Sequence, residues 1–80
     1  MTQRAVHALT DNELLQAIIG SGSAGSSVTH IASQVQKLLK RGIPTFQTLL
    51  MVKGVGEALA ARLVAVFELA SRLATLRNEG

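Results

Sequence analysis

The sequence predicts an all-α domain, a small bundle of about four helices, and three observations lead there. Apolar residues recur at offsets of three and four, as in Val28, Ile31, Ala32, Val35, Leu38 and Leu39, the spacing of one helix face. Glycine-bearing breaks at Gly20–Gly25, Gly42-Ile43-Pro44 and Gly54-Val55-Gly56 cut the periodic stretches apart. No β-rich alternating segment lies between them. With 80 residues, 48% of them apolar, the chain makes one domain near the small end of what folds without staples. It holds no cysteine, which excludes a disulfide framework and a thiolate metal site.

Residues 1–8 carry no clear period and read as a frayed lead-in. The first helix starts at Thr10, which stands at capping-box spacing from Glu13, with Leu9 and Leu14 placed to close a hydrophobic staple. Leu14, Leu15 and Ile18 are its expected buried face, and Gly20 ends it. The Gly/Ser-rich run that follows is a loop by composition, and Ser26 or Ser27 caps the second helix. That helix carries Lys37, Lys40 and Arg41 at its end, where cations suit the negative pole of the dipole. Gly42 is placed as its left-handed C-terminal cap, and Pro44 prevents continuation. Thr45 caps a short third helix to about Met51, with Phe46, Leu49 and Leu50 inward. On the long last helix, Leu59, Leu63, Val66, Phe67, Ala70 and Leu73 form the expected core stripe. Glu68 and Arg72, four apart, pair on its outer face.

Between the last two helices stands Val52-Lys53-Gly54-Val55-Gly56-Glu57. Two glycines one residue apart permit a tight turn and leave backbone N–H groups uncovered. Leu49, Val52, Val55, Ala60 and Leu63 supply the small or apolar residues that press one helix on the other. The helix opening near Glu57 aims its unpaired N–H groups and the positive end of its dipole at the same spot. That is an anion site, and on a chain of net charge +3 and pI near 10.2 the expected anion is a nucleic-acid phosphate. The charge surplus by itself is ordinary for a small domain.

This spacing resembles the helix-hairpin-helix motif, a sequence-independent binder of DNA backbone. Upstream, Leu9-Thr10-Asp11-Asn12-Glu13-Leu14-Leu15 is followed by Gly20-Ser21-Gly22-Ser23-Ala24-Gly25, then Ser27-Val28, Ile31-Ala32 and Lys53-Gly54-Val55-Gly56. That ordered set, from Leu9 to about Leu73, resembles the N-terminal region of the RadC family of DNA repair proteins. The division it implies is a lead-in over 1–8, the RadC-like domain over 9–76 and a tail over 77–80. The site it implies is the backbone of Gly54, Val55, Gly56, Glu57 and Ala58, with Lys53 and Arg62 beside it and Lys37 and Arg41 extending the footprint. Such hairpins also share the phosphate with a monovalent cation held by their carbonyls. The partner implied is double-stranded DNA, bound without sequence preference. RadC relatives continue into a JAB-like metal-hydrolase domain, and none of its ligands stand in these residues. One departure matters: DNA-binding hairpins often carry Lys or Arg just after the second glycine, where this chain has Glu57-Ala58-Leu59.

Other chemistry finds little support. Gly20 to Gly25 matches GxGxxG, but the run before it reads as a helix and the chain is too short for the βαβ units of a dinucleotide fold. His7 and His30 are the only imidazoles, and no nucleophile–base set or zinc spacing accompanies them, so no catalytic or metal residues are expected and the domain is read as non-enzymatic. Two Phe and no Tyr or Trp leave few aromatic platforms for unpaired bases. Arg62, Glu68 and Arg72 interrupt the longest apolar run, no membrane span is expected, and a cytoplasmic protein is the default. The competing expectation is a protein-interaction or dimerisation module whose glycine turn is only an architectural corner; the missing cation after Gly56 favours it. The His30, Gln34, Lys37, Arg41 stripe is open to two readings, a phosphate track or a solvated face, and the solvated face is the expected one.

Overall fold

The computed structural model describes residues 8–20 and 27–79, with the side chains of 77–79 outside that description. The described residues form four helices and no strand: α1 (Asp11–Ile19), α2 (Val28–Leu39), α3 (Phe46–Leu50) and α4 (Glu57–Glu79). The loop over 21–26, with most of its GxGxxG pattern and the alternative cap Ser26, lies outside the described residues, as do residues 1–7 of the expected lead-in over 1–8.

Local chemistry sets the helix starts. Thr10 Oγ1 accepts from the Glu13 amide at 3.2 Å, and the Glu13 carboxylate accepts from the Thr10 amide at 3.0 Å, so both halves of the capping box form. The Thr10 backbone bond, joined by the Thr10 hydroxyl, holds the Glu13 carboxyl below the usual carboxylate range. Ser27 caps α2 through the His30 amide, and Thr45 caps α3 through the Thr48 amide. Gly20, the C-cap of α1, sits at φ +85°, an angle that side-chain-bearing residues avoid. Gly42 is not the left-handed cap expected of it: α2 ends on Lys40 in right-handed geometry, and Gly42, at φ +129°, turns the chain two residues later.

The core draws on every helix. Ile31, Leu49, Leu63 and Val35 are fully buried, and Leu15, Ile19, Ala32, Val55, Ala60 and Phe67 complete the cluster. Val52 is half-buried beside it, so the residues expected to press α3 on α4 do so. Two expectations need correction. On α1 the buried pair is Leu15 and Ile19, while Leu14 and Ile18 are half-buried. The helix is turned because Asn12 Nδ2 donates to Ser33 Oγ at 3.2 Å on α2, and Gln16 donates to Asn12 Oδ1 at 2.6 Å. Asn12, Leu15, Gln16 and Ile19 therefore make the seam, one helical stripe that meets α2.

The second correction concerns α4. Its core stripe ends at Phe67; Ala70 is exposed, and Leu69, Leu73 and Leu76 are 58%, 51% and 62% exposed. Length explains it: α4 has 23 residues against nine in α1 and 12 in α2. At ~1.5 Å per residue its outer part extends past the helices that could cover it. The expected tail over 77–80 is helical as far as Glu79. Glu68 and Arg72 pair on this exposed part at 2.8 Å.

Candidate nucleic-acid interface

The segment joining α3 to α4 is pinned by backbone bonds. Met51 donates to Thr48 at 3.1 Å, Val52 to Leu49 at 3.0 Å and Val55 to Val52 at 3.0 Å. Gly54 sits at φ +94°, so the turn needs glycine there. Gly56 differs: its φ is not positive, and a methyl group added to it would meet nothing within 4 Å. Its value is openness rather than conformation. Val55 is buried and its amide is already spent on Val52, which removes it from the expected phosphate set. The amides of Gly56, Glu57 and Ala58 donate to no described residue, as the free first turn of a helix must. The Val52 and Gly56 carbonyls already accept from Val55 and Ala60.

Beside this turn lies a groove of about 770 Å³ between α2 and the α3–turn segment. Lys37, Lys40 and Arg41 line it from α2 and its end, and Lys53 from the turn, so four of the chain's eight Lys and Arg residues share one cleft. His30 stands in the same wall. No carboxylate among the described side chains lines it: Asp11 and Glu13 sit at the start of α1, Glu57 at the start of α4, and Glu68 is paired with Arg72. The four cationic side chains have no hydrogen-bond or ion-pair partner among the described residues. The floor is apolar, with Leu38 and Val52 half-buried, and Met51 at the rim is 86% exposed.

The structure thus divides the expected site. Lys37, Arg41 and Lys53 come together. Arg62 does not join them; its guanidinium donates to the carbonyls of Ile18 and Ile19 at 3.4 and 3.5 Å. These are last-turn carbonyls of α1, a helix with no basic residue of its own there, so Arg62 supplies the cation that end lacks. Sequence reasoning missed two groove members. Lys40 reads in sequence only as a dipole partner, and Met51 only as the end of α3. No group of three or more potential metal-ligating side chains occurs among the described residues, and no described helix is long and apolar enough to cross a membrane.

Comparison with known proteins gives the chain its family. A family model described as UPF0758 N-terminal matches residues 1–61. The chain belongs to the UPF0758 family. It is 43% identical over 74 residues to a UPF0758 protein of Methanospirillum hungatei, covering 91% of this chain and 33% of that protein. It is 39% identical over 77 residues to one from Rubrobacter xylanophilus, covering 91% and 34%, and 38% identical over 78 residues to one from Syntrophotalea carbinolica, covering 90% and 34%. The chain spans about a third of the length of these UPF0758 relatives. No solved structure matches it.

Proposed function

We propose that this UPF0758 domain binds the phosphate backbone of DNA, without sequence preference, in the groove between α2 and the glycine turn. One observation carries the proposal: four cations with no described protein partner line a single cleft from which carboxylates are absent. Charges left uncompensated by the fold attract a polyanion and supply a salt-sensitive, sequence-independent affinity. Lys53, Lys37, Arg41 and Lys40 contact phosphates, and the free amides of Gly56, Glu57 and Ala58 receive one more at the start of α4. The resemblance to the RadC helix-hairpin-helix region supports this assignment and implies a role in DNA repair. Glu57 opposes it locally, which moves the weight of binding from the turn amides to the groove cations. Catalysis has no place in this domain; a hydrolase activity would belong to a fused or partner domain.

Fluorescence anisotropy with a labelled duplex tests this. Neutralising four phosphates predicts an affinity loss of about 100-fold between about 50 and about 200 mM salt. Affinity that ignores salt, or no binding at the lower salt, overturns it. A second reading, a protein-docking module, is favoured by Leu69, Leu73 and Leu76, exposed at helical spacing on α4. Sedimentation that reveals a dimer lost in Leu73→Glu, without DNA binding, would favour that reading.

A further inference from the structure

Phosphate binding accounts for the four cations of the groove and leaves its apolar residues unexplained. Met51 is 86% exposed, the most exposed of the large apolar side chains in the described residues. It lines the same groove as the half-buried Leu38 and Val52 and the cation Lys53. Intact duplex presents phosphates and sugars to such a wall and keeps its base faces stacked inside. An exposed thioether against phosphates would gain nothing there. A strand whose bases are unpaired presents both surfaces at once: anionic backbone for Lys37, Lys40, Arg41 and Lys53, and flat apolar base faces for Met51 and the floor.

We propose that the groove takes DNA with unpaired bases, at a gap, bubble or single-stranded stretch, and that Met51 is the surface on which an exposed base rests. This rests on the DNA-binding reading above and names the substrate class of that same site. A thioether is soft and polarizable and packs well against aromatic rings, so it supplies a stacking contact that the chain's lack of Tyr and Trp otherwise denies it. The cations fix the backbone, while Met51 discriminates paired from unpaired. Charge complementarity favours nucleic acid over an apolar peptide, because four cations and no carboxylate among the described residues line the cleft.

The test compares a fully paired duplex with the same duplex carrying a short central bubble, identical in phosphate count, by fluorescence anisotropy. Wild type, Met51→Ala and Met51→Leu are measured. Met51 is exposed, so neither substitution disturbs the core, which thermal melting checks. The expected result is about a three- to tenfold preference for the bubble in wild type. Met51→Ala brings the bubble-to-duplex affinity ratio close to one, and Met51→Leu retains part of the preference. Equal affinity of wild type for both DNAs, or an intact preference in Met51→Ala, overturns this inference and leaves backbone binding standing. No binding to either DNA, as a cleft for an acidic amphipathic helix would give, overturns both.

Discussion

The cations among the described residues fall into two groups that the fold treats differently. Arg62 and Arg72 are spoken for: one serves the carbonyl end of α1, the other the Glu68 carboxylate. Lys37, Lys40, Arg41 and Lys53 are exposed in one groove, and no described residue answers them. Both groups look alike in sequence, since each cation sits at a helix end or an outer face. The difference shows that position along a helix does not separate structural cations from available ones. What separates them is whether another element arrives with an acceptor. α1 brings its carbonyls to Arg62, whereas α3 and the turn bring Lys53, another cation, to α2.

Charge reversal in the groove should produce the largest effect. Lys37→Glu combined with Arg41→Glu and Lys53→Glu is expected to weaken duplex binding at low salt by at least about 100-fold. The melting temperature should fall only slightly, because the three make no hydrogen bond or ion pair among the described residues and Lys37 and Arg41 support the end of α2 only through its dipole. A large thermal loss would show that these cations have structural partners after all. The turn they adjoin gives the next effect. Gly54→Ala forces a side-chain-bearing residue to φ +94° and should cost ~1–2 kcal/mol in denaturant unfolding. Gly56→Ala, with open space and an ordinary φ, should stay within ~0.5 kcal/mol.

Arg62→Ala sharpens the contrast from the other side. It should lose roughly 0.5–1 kcal/mol of stability through the α1 carbonyls, and duplex affinity should change less than about twofold. A loss of affinity without a loss of stability would return Arg62 to the phosphate site. The smallest effect concerns Glu13. Its lowered pKa means that the capping box contributes stability above the ordinary carboxylate range, and that this contribution disappears as pH falls through the folded-state value. Glu13→Gln should therefore flatten the acid limb of the melting-temperature profile, while leaving DNA binding at neutral pH unaltered.

Much of the fold was legible because its determinants are local. Thr10, Ser27 and Thr45 cap their helices from within three residues, and Gly54 takes the angle its glycine identity permits. The face α1 buries was not legible. It depends on Asn12 meeting Ser33, 21 residues away, which no periodicity within α1 encodes. The outer part of α4 misled for a related reason: the apolar spacing continues through Ala70 and Leu73 whether or not a neighbour exists to cover them. In the site, Lys37, Arg41 and Lys53 could be proposed from charge alone. Lys40 and Met51 could not, because the cleft arises only when α2 lies beside the α3–turn segment. The Val55 amide likewise could be counted as available only until the turn's own hydrogen bond to Val52 was known.

The most direct test of the central claim is an amide NMR titration of labelled protein with duplex DNA, at low salt and again at about 0.2 M. Shifts concentrated at Lys37, Lys40, Arg41 and Lys53 and at Gly56 to Ala58, fading at the higher salt, are the predicted result. Shifts confined to the end of α1 with Arg62 or to Leu69–Leu76, or none at low salt, would contradict it.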